Sequence, residues 1–211
     1  MSDSARTLPE TLARIEELIA LSGRARDEVL NIRELSHATG LYESEVELLL
    51  AGGHLDELDE EDQEALVRQR VRFLYEQHRG PNDGPRDVRE IAAAIGQTPT
   101  WTKKLVEGTA KPSLVSGSRL TKYYEVAATF LTDSPDEALN RELRPVLFDL
   151  EVEADPGKTL KEMGVLHLSS RSPVLGKQDL AALAKMVASI HTNLDQIQRV
   201  LDQTTDPEGK G

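Results

Sequence analysis

The 211-residue chain contains no cysteine, which removes disulfides, thiolate nucleophiles and cysteine-ligated zinc together. Stability must come from packing and assembly. Aromatic residues make up only 4%, and alternating Val/Ile-rich runs bounded by turn residues are scarce, so little is present from which to build a sheet. Leucine, alanine and glutamate dominate instead, and an all-α protein is expected. Long apolar runs are missing as well. Nothing approaches the roughly 20 residues needed to cross a bilayer, and the first ten residues lack a basic region followed by an apolar one. A cytoplasmic location with no membrane association is the expectation. The length allows one large domain or two small ones, each with a core of its own.

Positive charge is the remaining deficit: 25 Lys and Arg against 37 Asp and Glu leave a net charge of −12. Taken alone, that balance argues against nucleic acid, because phosphate contacts need cations. The distribution reverses the argument. Residues 1–66 carry 5 basic and 17 acidic side chains, 67–135 carry 11 and 7, and 136–211 carry 9 and 13. Only the middle is basic.

Helix signals punctuate the first third. Thr7-Leu8-Pro9-Glu10 forms a capping box with proline in the first turn, followed by Leu12, Ile15, Leu18 and Ile19 on one face. Gly23 is a stop. Asn31 caps a second helix that Gly40 ends, and Ser44 opens a third that ends at Gly52-Gly53. An acidic run at 56–64 reads as a solvated face or linker, with a partner-docking or DNA-mimicking patch as its alternative. A long helix over 64–78 precedes the turn-rich Arg79-Gly80-Pro81-Asn82-Asp83-Gly84-Pro85. Residues 12–52 also align without a gap on 68–108 at an offset of 56, placing Arg33 on Arg89, Gly40 on Gly96, Leu49 on Leu105 and Gly52 on Gly108. The pattern reads as a structural duplication, against chance similarity between amphipathic helices.

The segment 88–108 carries the chemistry. A short helix with Ile91 and Ile95 meets Gly96, and Thr98 with Pro99 opens a second helix. Ala92 is small where the two would cross, and Leu105 returns to their shared core. The outward face then carries Thr98, Thr100, Lys103 and Lys104, a set suited to the base edges and phosphates of a major groove. Trp101 reads as a core anchor by residue type. Arg86, Arg89, Lys111, Arg119 and Lys122 are candidate phosphate contacts; each could equally be an ordinary solvated cation. In the first copy Glu43, Glu45 and Glu47 stand where the second has Pro99, Trp101 and Lys103, so that copy is expected to be a scaffold or protein-contact module.

The run Gly96-Gln97-Thr98-Pro99-Thr100-Trp101-Thr102-Lys103-Lys104-Leu105-Val106-Glu107-Gly108 resembles the turn and recognition helix of lambda-repressor-like (Cro/cI, XRE) helix-turn-helix regulators. Lys111-Pro112-Ser113 and 120–131 resemble that family's next loop and helices. The stretch 73–143, including 124–133 and Glu142-Leu143, is most similar to the EspR group of mycobacterial regulators. Thr102 departs from the pattern, which usually holds a larger apolar residue there. For Trp101 the resemblance carried by 96–108 implies a place at the DNA-facing rim, as the alternative to a core anchor. The resemblance implies a homodimer that binds double-stranded DNA and is joined by C-terminal helices; gene regulation or nucleoid organisation would follow from such a dimer.

Towards the C-terminus, Leu180, Leu183, Val187, Ile190, Leu194, Ile197 and Leu201 are spaced alternately by 3 and 4, a heptad seam. Packing on the chain's own body is one reading. Dimerisation is preferred, because two reading helices gain affinity on two half-sites. Catalysis finds no support: His37, His54, His78, His167 and His191 are scattered, and no HExxH, phosphate loop or GxSxG occurs. Ser169, Ser170 and Ser172 lack a recognisable base. Neither a metal nor a cofactor is expected. The fold expected is thus all-α, with tandem helix-turn-helix-like modules and a C-terminal dimerisation helix: an acidic, degenerate module at 1–63, a DNA-binding module at 64–135, a dimerisation region at 136–203 and a flexible tail at 204–211. The rival function is a protein-interaction module using the acidic N-terminal third.

Overall fold

Leucine-rich amphipathic segments separated by single glycines and capping residues fold as helices, and the described residues contain no strand. The computed structural model describes residues 6–55, 60–78, 84–165 and 176–204. The first part of the acidic run, the tip of the 79–85 turn, the segment with His167, Ser169, Ser170 and Ser172, and the tail after 204 lie outside the described residues. In chain order the helices are α1 (Leu8–Ser22), α2 (Arg26–Val29), α3 (Ile32–Thr39), α4 (Glu43–Leu50), α5 (Glu60–Gln77), α6 (Val88–Ile95), α7 (Pro99–Val106), α8 (Leu114–Tyr124), α9 (Pro135–Ala154), α10 (Pro156–Glu162) and α11 (Lys177–Thr204). None among the described residues is long and apolar enough to cross a membrane.

Local signals set the helix ends. The Thr7 N–H donates to Glu10 Oε2 at 2.7 Å, Asn31 Oδ1 accepts from the Glu34 N–H at 3.2 Å, and Gly23 stops α1 in the left-handed conformation. The pair α3–α4 and the pair α6–α7 have the same lengths, and all four boundaries differ by 56. Each first helix ends on a glycine with positive φ, +72° at Gly40 and +69° at Gly96. The offset read from side-chain types therefore holds for the backbone too.

Three cores result. The first joins Leu12, Ile15 and Leu18 of α1 with Leu35, Leu41, Val46 and Leu49 around α3 and α4, and with Leu139, Leu143, Leu147 and Leu150 of α9. Helix α9 thus packs in space on the first unit although it follows the second in the chain. Its four leucines share one stripe, while Pro145 faces solvent. The second core joins Val71, Phe73 and Leu74 of α5, Ile91 and Ile95, Leu105 and Val106, Leu120 and Tyr124, and Phe130. A smaller third core gathers Val152, Leu160 and Ala184, with Phe148, Leu180, Leu183 and Val187 against them. Each fully buried Leu or Ile contributes roughly 1.5–3 kcal/mol.

A joint links the first two cores. Phe130 lies against Gly40 so closely that a Cβ there would sit 2.6 Å from its Cζ and 3.3 Å from Arg70 Cγ. Arg70 of α5 is fully buried and donates from Nη1 to the Asp133 carbonyl. The Asp133 carboxylate in turn pairs with Arg141 of α9. Burial, and then the nearby Arg141 charge, push the Arg70 guanidinium down to about 10. Also at the joint, His37 at the end of α3 stacks on His78 after α5, with ring centroids 3.8 Å apart. Phe73, Tyr124 and Phe130 meet the His78 ring edge-on.

Burial first, and then His37, push the His78 imidazole down to about 4. The folded chain therefore holds this ring neutral where an unfolded chain, with a histidine pKa of about 6.5, would protonate it. Stability from the joint is complete above about pH 6.5 and is lost as the pH falls towards 4. The carboxylates of Glu10 and Glu137, held below 4.5 by hydrogen bonds from Thr7 and Ser134, contribute stability that is lost only at lower pH, below this window. Urea unfolding is expected to show a lower midpoint at about pH 5 than at pH 7.5, a difference that His78→Gln reduces. Equal midpoints for the unmodified chain would contradict the role of this ring.

Candidate nucleic-acid interface

Asp87 opens α6 by accepting the Arg89 N–H at 2.8 Å. Ile91, Ala92 and Ile95 turn into the second core, and Gly96 lets the chain leave the helix at once. Thr98 Oγ1 then accepts the Trp101 N–H at 3.3 Å, with Pro99 as the first residue of α7. On α7 the residues Thr102, Leu105 and Val106 are buried, which points Thr100, Lys103 and Lys104 outward. Thr98 and Pro99 are exposed at its N-terminus. Trp101 is half-buried and packs partly on the second core, so it serves as an anchor while leaving an edge at the surface.

The cations divide into two groups. Lys104 and Lys122 are exposed and have no ion pair among the described residues, and Lys103 lies only 3.8 Å from Glu107 on the same helix. Such an exposed pair is worth little and is easily exchanged for another anion. Arg89 is exposed at the start of α6 and lines a shallow cleft with Thr100 and Lys103. Thr98, Thr100, Trp101, Lys103, Lys104 and Arg89 are thus gathered at one end of the second unit. Lys111, by contrast, pairs with Glu64 of α5, and Arg119 donates to the Ile95 carbonyl at 3.3 Å. A Cβ on Gly96 would sit 2.4 Å from Arg119 Nη1, so Arg119 closes the end of α6 and holds the turn. Arg86 is occupied by the protein as well, stacked over the Tyr123 and Tyr124 rings at 5.0 and 5.2 Å.

Thr102 is fully buried and its Oγ1 has no hydrogen-bond partner among the described residues. Thr102 therefore leaves a desolvated hydroxyl beneath α7.

The first unit repeats the cleft with other chemistry. Asn31, Ile32, Arg33, Glu43 and Glu47 line it where Asp87, Val88, Arg89, Pro99 and Lys103 line the second, position for position at the offset of 56. Of the three carboxylates on α4, Glu45 turns back and accepts the Tyr42 N–H at 2.7 Å, leaving Glu43 and Glu47 as the exposed pair. Tyr42 and Leu48 beside them are 56% and 43% exposed. Sequence reasoning missed these two residues because a single exposed apolar side chain carries no pattern.

No protein family, curated protein or solved structure matches the chain.

Replacing Thr102 by valine keeps the shape and removes the unpaired hydroxyl. Thr102→Val is expected to stabilise the chain by about 1 kcal/mol in urea unfolding. A loss of stability of that size would mean that the hydroxyl has a partner in solution.

Proposed function

We propose that this chain is a sequence-specific, DNA-binding transcription regulator that reads duplex DNA with α7 and acts as a homodimer. The observation that carries the proposal is the outward face of α7. A chain of net charge −12 places Thr100, Lys103 and Lys104 together on solvent, in its one net-positive segment, with Arg89 beside them. A helix with exposed N-terminal hydroxyls followed by cations supplies base contacts and phosphate contacts from one surface. In this reading α3–α4 and α6–α7 are tandem helix-turn-helix modules, supported by their equal lengths and shared offset, and only the second has the charge to bind DNA. The resemblance to lambda-repressor-like regulators supports the same assignment.

The dimer is assigned to α11. Leu180, Leu183 and Val187 are half-buried against the third core, whereas Ile190 and Leu194, further along the same stripe, are 50% and 54% exposed. The side chains of Ile197 and Leu201 lie outside the described residues. A 28-residue helix is about 42 Å long, so its second half extends the heptad stripe beyond the residues that pack on α9 and α10. Pairing that half with its counterpart in a second copy would cover the stripe. Such a dimer would act on DNA in the cytoplasm, at the nucleoid.

Binding of the full chain to genomic DNA fragments, titrated with salt, tests the reading. Wild type is expected to bind with log affinity falling linearly against log salt, and Lys103→Glu with Lys104→Glu to bind at least about tenfold more weakly with a shallower slope. Equal binding by wild type and variant, or no binding by either at low salt, would overturn it.

A further inference from the structure

The outward face of α4 is built like a contact surface. Its counterpart α7 turns Thr98, Pro99, Lys103 and Lys104 outward, and at the same offsets α4 turns out Tyr42, Glu43, Glu47 and Leu48. A solvated helix face would carry mixed polar groups. Here an exposed tyrosine and an exposed leucine flank two carboxylates that have no ion pair among the described residues. Glu45, the third carboxylate of this helix, is consumed in its cap. The face is therefore both apolar and net anionic, with Arg33 of α3 the cation that lines the cleft beside Glu43 and Glu47 without an ion pair to them among the described residues, and the segment that holds it, residues 1–66, has 12 more acidic than basic side chains.

We propose that this α4 face docks on the α7 face of a second copy of the chain. The inference rests on the reading of α7 as an accessible cationic surface. Charge complementarity selects the occupant: the excess of positive charge lies in residues 67–135, and Lys103 and Lys104 are its exposed pair on a helix face. Carboxylates of α4 meet these ammonium groups, while Tyr42 and Leu48 meet Pro99 and the exposed edge of Trp101. The contact is heterologous, using two different faces, so it adds copies to an existing dimer instead of closing a second one. A contact of one helix face on another is small, and it forms and breaks readily. Since it covers the residues proposed to read DNA, duplex DNA and a neighbouring copy exclude one another, and DNA-free protein self-associates.

Sedimentation velocity of the full chain without DNA tests this at a low salt of about 0.1 M, where the Debye length is about 10 Å and the net charges of two copies are largely screened while contacting pairs are not, and at high salt, where it is about 3 Å at 1 M. Wild type is expected to gain at least about twofold in weight-average mass at low salt, as an open contact adds further copies, and to return to its basal assembly at high salt. The variant with Glu43→Lys and Glu47→Lys, and the variant with Lys103→Glu and Lys104→Glu, are each expected to stay at the basal mass at both salts. An equimolar mixture of the two regains the association, because each then offers the charge that the other lacks. An unchanged wild-type mass, persistent association of either variant alone, or a mixture that stays basal would overturn the proposal. DNA binding by the Glu43→Lys and Glu47→Lys variant keeps the two readings apart. If the mixture associates while no protein binds DNA, the docking stands and the assignment of α7 to DNA fails; if DNA binds and the mixture does not associate, the reverse holds.

Discussion

The angle at which α7 leaves α6 depends on one backbone conformation, the positive φ of Gly96, and the candidate interface depends on that angle. An L-residue with a side chain pays about 1–2 kcal/mol to adopt it, and at this position a Cβ would also run into Arg119. With glycine there, the chain passes from α6 to α7 within three residues, Thr102, Leu105 and Val106 are buried, and Thr100, Lys103 and Lys104 are left on solvent. The same geometry at Gly40 places Val46, Leu49 and Leu50 on the first core. There the turn has a second duty, because Phe130 and Arg70 occupy the space a side chain would need.

Charge is partitioned on top of this shared backbone. Two units of one geometry carry opposite outward chemistry, Glu43 and Glu47 on α4 against Pro99 and Lys103 on α7. Local potential, and not net charge, governs an encounter with a polyanion, since exposed charges further apart than about 10 Å are largely screened at 0.1 M salt. An acidic protein can therefore present cations such as Lys104 on a helix face, even though Asp87 and Glu107 share the neighbouring cleft with Arg89 and Lys103. Several arginines that would strengthen such a face serve the fold instead. Arg70 is buried in the joint, Arg86 stacks on tyrosines and Arg119 caps α6.

Features set by short-range chemistry were legible in the sequence. Thr7, Asn31, Asp87 and Thr98 announce helix starts because their capping partners lie two or three residues away, and Gly23, Gly40 and Gly96 announce stops because of their backbone freedom. The offset of 56 was legible too, since it shows in apolar spacing as well as in the glycines. Long-range consequences were not. Nothing local to Leu139, Leu143 and Leu147 says that they pack on α1 and not on the adjacent second unit. A lone arginine reads the same whether it ends buried like Arg70 or exposed like Arg89. Likewise the heptad spacing of α11 did not show that Leu180, Leu183 and Val187 lie against the third core while Ile190 and Leu194 stay exposed. Spacing alone does not separate Glu45 from Glu43 and Glu47, because its cap on the Tyr42 N–H is a matter of side-chain conformation.

The central claim is that α7 is the element that meets DNA, and the chain carries a reporter for it in Trp101, its single tryptophan, half-buried at the edge of the proposed reading face. Tryptophan emission of the full chain should be followed while duplex DNA fragments are added at low salt, with binding measured in parallel by the anisotropy of labelled DNA. The account predicts a saturable change in Trp101 emission that tracks the anisotropy and is reversed by salt. DNA that binds while the Trp101 emission stays unchanged would place the contact on another surface and contradict the account.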